Sequence, residues 1–279
     1  MYELQKKIDN ALKILKMSEK NAELHAVPVE LAYSGGKDSD VLLQLAKESG
    51  INYKAFYKNT TIDPPGTLQH VRENGVEVIQ PKMSFFHLIE KKGFPSFRFR
   101  FCCQALKEYK ILNTALWGVR RDESVKRKAR YKSFNFCRVY NAKEKVSVFA
   151  PLVDWTLNDV ADFVNDRQIK LAPYYYDESG NIDFSRRLGC LGCPLKYDRG
   201  IADFMSNKKL LRAWLRAGQK FFENHYANNG KFNDVYELFT FRTSFHDSES
   251  WRLHCSKNLF GYTFNAKEFL ENYFQINLL

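Results

Sequence analysis

The chain has 279 residues, 44% of them hydrophobic, with a formal charge of +11 and six cysteines. That length buries one substantial core with an appendage, and no run approaches the roughly 20 apolar residues of a membrane span. Cysteines without a secretory leader argue against an extracellular disulfide framework and for metal or redox chemistry, so a soluble, cytoplasmic protein with no membrane partner is expected.

Leu4, Ile8, Ala11, Leu12 and Leu15 recur at helical spacing and predict an amphipathic N-terminal helix. An apolar run over 27–33 predicts a buried strand, and Val41, Leu42, Leu45 and Ala46 mark a helix that Ser49-Gly50 ends. A second strand is expected over 52–57, then a helix capped by Asp63 with Pro64 in its first position, then a third strand over 76–79. Helical patterns over 85–92 and 105–112 lead to a fourth strand over 114–119, and a further strand over 146–149 ends at Pro151. Thr156 and Asp159 approximate a capping box for the next helix. Gly180-Asn181 marks a turn, and 201–226 and 267–274 read as helices. Strands alternating with helices imply parallel crossover units, hence an α/β fold: a Rossmann-like parallel sheet flanked by helices, with helical N- and C-terminal extensions.

Ser34-Gly35-Gly36-Lys37-Asp38-Ser39 joins the first strand to its helix. Paired glycines let the backbone approach an anion closely, while the N–H groups and dipole of the helix start favour negative charge. Lys37 adds a mobile cation, and Ser34 and Ser39 add hydroxyl donors. The spacing does not fit Gly-x4-Gly-Lys-Ser/Thr, which excludes the loop of the common nucleoside triphosphatases. In an open parallel sheet ligands lie beyond the carboxyl ends of the strands, so Ser34, Asn59-Thr60 and the stretch from Gly118 to Arg120 are expected to converge.

Residues 91–140 hold fourteen Lys and Arg against three acids, a surplus equal to the whole formal charge of +11. One segment therefore carries the positive field, which suits an anionic ligand and makes nucleic acid an alternative partner of the same residues. Within and beyond it, Cys102-Cys103 and Cys190-x-x-Cys193 supply four thiols in two pairs. A four-cysteine zinc site normally spaces its ligands by two to four residues, which adjacent cysteines do not. A [4Fe-4S] cube offers irons at separate corners that neighbouring thiolates can hold. Zinc and uncoordinated buried thiols are the alternatives. Cys137 and Cys255 stand alone.

The Ser34 to Ser39 loop resembles the PP-loop of the ATP pyrophosphatase and adenine nucleotide alpha hydrolase superfamily. Together with Cys102-Cys103, Gly118-Val119-Arg120-Arg121-Asp122-Glu123-Ser124 and Cys190-x-x-Cys193, it makes the chain similar to the phosphoadenosine phosphosulfate reductase family. On that resemblance, residues 1–24 are a helical extension, 25–199 the PP-loop domain with its iron-sulfur loops, and 200–279 a helical C-terminal segment. The likeness to assimilatory adenylylsulfate reductases implies a [4Fe-4S] cluster on Cys102, Cys103, Cys190 and Cys193, and a phosphosulfate facing Arg120 and Arg121. Those reductases use a cysteine in a C-terminal Glu-Cys-Gly-Leu-His, which this chain lacks. Leu253-His254-Cys255-Ser256 comes nearest, making Cys255 the candidate nucleophile.

The intact Gly-Gly-Lys-Asp-Ser instead resembles the small subunit of bacterial ATP sulfurylase and the iron-sulfur ATP pyrophosphatase of DNA phosphorothioation systems. This implies an enzyme that binds ATP with Mg²⁺ through Ser34, Gly35, Gly36, Lys37, Asp38, Ser39, Thr60, Gly118 and Arg120. It would release pyrophosphate and activate an anionic acceptor for sulfur transfer, with Lys37, Arg120 and Arg121 catalytic. The implied partners are an adenine nucleotide, the acceptor, and a sulfur donor or thioredoxin-like reductant. Homo-oligomers are compatible with it. The alternatives are a thioredoxin-dependent phosphoadenylyl- or adenylyl-sulfate reductase, and the nucleotide-binding subunit of a nucleic-acid-modification complex docking through residues 91–140.

Overall fold

A computed structural model describes residues 2–140, 143–228, 230–243 and 265–278. The described residues form two compact units. The first comprises 1–59, 63–81 and 106–189, and the second 60–62, 82–105 and 190–279.

The first unit is the expected α/β fold. Its six strands are β1 (Val29–Tyr33), β2 (Tyr53–Lys58), β3 (Glu77–Ile79), β4 (Thr114–Trp117), β5 (Asn135–Tyr140) and β6 (Glu144–Phe149). They lie in the order β3-β2-β1-β4-β6-β5, every pair parallel except β5 with β6. Parallel strands are covered on both faces, and β1 is accordingly apolar, with Val29 and Leu31 fully buried. The unit's helices are α1 (Tyr2–Glu23), α2 (Lys37–Ser49), α3 (Thr67–Glu73), α6 (Val125–Arg130) and α7 (Leu157–Asp166). The N-terminal helix α1 sends Ile8, Ala11, Ile14 and Leu15 into the core. Its Lys7 pairs with Asp159 at 2.6 Å, and Thr114 donates to its Asn21 at 2.8 Å. The capping box at Thr156 and Asp159 forms and starts α7.

Four local expectations are corrected. Asp63 does not cap a helix: its carboxylate accepts from the Tyr57 hydroxyl, and α3 starts only at Thr67, behind Gly66. The helix expected over 105–112 stops at Leu106, because the following carbonyls turn elsewhere. Lys107 and Tyr109 accept from the Lys58 ammonium at 3.3 and 2.5 Å, and the Leu112 N–H donates to Glu30 at 3.0 Å. The fourth strand ends at Trp117, and β5 went unread because its buried and exposed residues alternate as mixed polar and apolar types on an edge strand.

The second unit is helical, with α4 (Phe85–Lys92), most of α5 (Phe101–Leu106), α8 (Ile201–Ser206), α9 (Lys208–His225), α10 (Val235–Thr243) and α11 (Ala266–Phe274). The fourth correction falls here. The helix expected over 201–226 breaks at Asn207, whose side chain accepts from the Leu210 N–H at 3.1 Å and starts α9 afresh. Trp214 centres the core, with ring centroids of Phe85 and Phe204 at 5.0 and 5.2 Å and Phe94 stacked at 6.4 Å. Aromatic pairs at these separations contribute beyond their buried area.

Candidate phosphate-loop cavity and cysteine cluster

The loop that follows β1 has the geometry its sequence demands. Gly35 has φ +74°, where a side chain is strained, and a Cβ there would stand 3.0 Å from Thr67 Cγ2. Gly36 is the N-cap of α2 and has no side-chain cap, so the helix's first amides find other partners. The Tyr175 hydroxyl oxygen accepts from the N–H groups of Lys37 at 3.2 Å and Leu188 at 3.4 Å. A phenol oxygen thus stands where the helix dipole favours an anion's oxygen. Burial, ahead of two opposing backbone hydrogen bonds, pushes the Tyr175 phenol up to about 12. The Ser34 and Ser39 hydroxyls lie 3.2 Å apart.

The loop opens on a cavity of about 350 Å³ at the carboxyl ends of β1, β2 and β4. That is within the range of small-ligand sites. Ser34, Gly36, Lys37, Asp38, Ser39 and Gly118 line it. So do four cations that the sequence reading did not single out for the site: Lys58, Lys107, Arg127 and Arg187. Burial lowers the Lys37 ammonium's pKa from its ordinary value, opposed by Asp38 at 3.7 Å, and Lys37 donates to the Arg186 carbonyl at 3.1 Å. Lys58 is likewise lowered by burial and faces Glu30 at 3.9 Å, while burial raises Glu30. Gly118 lets the end of β4 pass the loop closely, since a Cβ there would meet the Asp38 carbonyl oxygen at 3.0 Å.

The two adjacent arginines have different tasks. Arg120 is buried, and its Nε donates to Asp38 at 2.5 Å while its guanidinium reaches Asp122 at 3.3 Å. Arg121 donates to the Tyr131 carbonyl at 2.5 Å, to the Lys132 carbonyl at 2.6 Å and to Asp154. Neither lines the cavity. Arg120 neutralises the loop's own carboxylate, and Arg121 ties the segment after α6 into place.

Beneath the loop, Asp40 is 3% exposed and accepts from the Tyr33 hydroxyl, with His70 Nε2 at 3.0 Å. Its second oxygen has no partner among the described residues. Burial, ahead of the His70 and Tyr33 hydrogen bonds, raises the Asp40 carboxyl.

Cys102, Cys103, Cys190 and Cys193 are partly buried thiols that all fall in the second unit. The Cys103 side chain, then burial, then the charges of Cys103, Cys190 and Cys193 push the Cys102 thiol up. The other three sulfurs are therefore near enough to Cys102 to disfavour its thiolate, the situation that a bound cation or cluster relieves. Among the described residues no three His, Cys, Asp or Glu side chains are already arranged as a metal-holding set. The Cys190 loop is held tightly. Gly192 has φ +68°, a Cβ there would meet Phe204 at 2.7 Å and Trp214 at 2.9 Å, and its N–H donates to Asp203 at 2.7 Å. Thr60 belongs to this unit and not to the phosphate loop's. Its hydroxyl oxygen accepts from the Cys190 thiol at 3.7 Å, and the Leu191 N–H donates to the Ile62 carbonyl at 2.8 Å. Cys137 is exposed on β5, and Cys255 with His254 lies outside the described residues.

A parallel sheet whose first strand ends in this glycine-rich loop, beside a cation-lined cavity, defines an α/β protein of the PP-loop class. The match is specific: residues 28–196 fit the family of phosphoadenosine phosphosulfate reductase domains, and the chain belongs to that family. An uncharacterized protein of Methanocaldococcus jannaschii is 26% identical over 74% of the chain and 50% of its own length. Sulfate adenylyltransferase subunit 2 of Chromohalobacter salexigens is 31% identical over 54% of the chain and 60% of its own length. The chain thus spans between half and three fifths of the curated relatives it matches. Among solved structures, phosphoadenylyl-sulfate reductase of Candida auris in a phosphate complex superposes with a TM-score of 0.41 at 16% identity, covering 58% of this chain and 82% of that one. No described helix is long and apolar enough to cross a membrane.

Proposed function

We propose that the chain binds ATP at the Ser34 to Ser39 loop, cleaves it to AMP and pyrophosphate, and so activates an acceptor for sulfur transfer. The observation that carries this reading is the intact loop opening on a cavity with five cationic side chains, Lys37, Lys58, Lys107, Arg127 and Arg187. Clustered cations of that number suit the charge of a triphosphate. Lys37 and the first amides of α2 would hold the pyrophosphate portion once the Tyr175 hydroxyl yields its place. Charge developing on the bridging oxygen between the alpha and beta phosphates would be met by cations already fixed by the fold, a preorganised electrostatic contribution. Asp38, held by Arg120, is the loop carboxylate nearest to Lys37 and the residue suited to the Mg²⁺ that accompanies ATP. Attack by an acceptor oxygen on the alpha phosphorus forms an adenylated acceptor and breaks the bond to the beta-phosphate oxygen, with pyrophosphate leaving; the sulfur nucleophile of the donor then displaces AMP from the acceptor.

Cys102, Cys103, Cys190 and Cys193 are the residues that would hold a [4Fe-4S] cluster, and their crowded thiols suit a group that stabilises all four as thiolates. Such a cluster supplies sulfur ligation or electron transfer when bound. Anaerobic purification followed by parallel assays tests the reading. Pyrophosphate released from Mg-ATP without sulfite from either phosphosulfate supports it. Thioredoxin-dependent sulfite release would overturn it in favour of a reductase working through Cys255. Absence of iron and sulfide in anaerobic protein would remove the cluster alone.

A further inference from the structure

A second cavity of about 430 Å³ lies in the same unit, on the β5 edge of the sheet. It shares Lys107, Trp117 and Tyr140 with the phosphate-loop cavity, so the two adjoin. Alternation along β5 sets Phe136, Arg138 and Tyr140 on one face. The Phe136 ring stands between those of Trp117, at 5.7 Å and 75°, and Tyr131, at 5.1 Å and 41°. All three rings are only half-buried. Arg130 and Arg138 add positive charge against a single acid, Glu108, which Arg138 already meets at 3.5 Å. The Arg138 Nε is buried with no hydrogen-bond partner among the described residues. A buried donor left without an acceptor costs free energy that a bound ligand recovers.

We propose that this cavity is the acceptor subsite of the ATP-cleaving enzyme and takes a phosphorylated nucleoside, its base against the Phe136, Tyr131 and Trp117 rings and its phosphate on Arg130 and Arg138. Half-exposed aromatic rings beside guanidinium groups are the combination that binds unstacked bases, because every base presents a π-face and every nucleotide an anion. Sharing Lys107 with the ATP cavity puts such a ligand next to the phosphates it would attack. The inference rests on the proposed reading for its catalytic meaning and on the cavity alone for binding.

The test is calorimetric titration of the full chain, saturated with a non-hydrolysable ATP analogue, with CMP or GMP and with a short single-stranded oligonucleotide. A second nucleotide equivalent per chain is expected, and Phe136→Leu, which keeps apolar volume but removes the ring, should weaken it about tenfold or more while analogue binding is unchanged. Arg130→Gln, at an exposed position, should lower the salt dependence of oligonucleotide binding by about 0.7 in log-log slope. Equal affinity for mononucleotide and oligonucleotide identifies a free nucleotide as acceptor, and tighter, salt-steep oligonucleotide binding identifies a strand. A single nucleotide equivalent, or wild-type affinity in both variants, overturns the proposal while leaving the ATP reading standing. Second-site binding without any analogue binding sinks the ATP reading and keeps the cavity assignment.

Discussion

The phosphate loop and the cysteine loop are held in opposite ways. At the phosphate loop almost every polar group already has a protein partner: Asp38 has Arg120, Lys37 has the Arg186 carbonyl, and the helix start has the Tyr175 hydroxyl. At the cysteine loop the backbone is fixed by close packing on Phe204 and Trp214, while the Cys103 side chain and burial, with the charges of Cys103, Cys190 and Cys193, push the Cys102 thiol up. The first site is organised by exchangeable hydrogen bonds that a ligand can replace. The second is organised by shape, with the Cys102 thiol pushed up by the sulfurs around it and by burial.

The contrast breaks most visibly at Lys37. Lys37→Ala should lower pyrophosphate release by about 10²-fold or more, as loss of a preorganised charge does, with the melting temperature little changed. If activity survives, the other four cations carry the site. The same ammonium has a pH signature. Its pKa is depressed by burial, so in the nucleotide-free protein the charge is lost below the ordinary value of 10.5, and ATP affinity should begin to fall at lower pH than for a free lysine. Affinity that stays flat up to that value would contradict the burial argument.

On the other side, Gly192→Ala should cost roughly 2 to 3 kcal/mol of stability, since it adds a clash to a left-handed backbone. Denaturant unfolding measures it, and a neutral result would mean that the Cys190 loop is not fixed by packing. Cys102→Ser and Cys190→Ser should each strip iron and sulfide from anaerobic protein and leave ATP binding untouched. Retained iron would assign the cluster elsewhere. Arg121→Ala should lower stability by about 1 to 2 kcal/mol through its lost carbonyl and carboxylate bonds with ATP affinity unchanged, in contrast to Lys37→Ala.

The smallest effect belongs to Asp40. Burial raises its folded pKa above the ordinary 3.8, so the folded state binds its proton more tightly. Its stabilising contribution is therefore full below 3.8 and is lost as pH rises through the raised value. Asp40→Asn should flatten that acid-side slope in stability measured between pH 3 and 7. An unaltered slope would assign it to other groups, Glu30 first, whose carboxyl is raised by burial in the same direction.

The phosphate loop could be read from the sequence because six consecutive residues hold its whole local chemistry. The four other cations of its cavity could not, since Lys58 ends β2, Lys107 follows α5, Arg127 sits in α6 and Arg187 precedes the cysteine loop. Their convergence is a property of the parallel sheet. The arginine motif is legible by residue type, yet partner geometry separates its members: Arg120 donates to Asp38 of the loop, and Arg121 to the carbonyls of Tyr131 and Lys132. Thr60 followed the strand-end rule into the expected set, but its neighbours draw it to Cys190. The crossover units emerged from periodicity alone. β5 did not, because an edge strand needs no continuous apolar run and Asn135, Arg138 and Phe136 alternate without a clear pattern.

The docking of α1 also has a kinetic meaning. Its Asn21 meets Thr114 across 93 residues and its Lys7 meets Asp159 across 152. At ribosomal rates the second of these partners emerges roughly 8 to 30 s after the lysine. The Lys7–Asp159 pair is thus among the last contacts that synthesis makes available in this unit, a sequence-distant closure, whereas the six residues of the glycine loop emerge together.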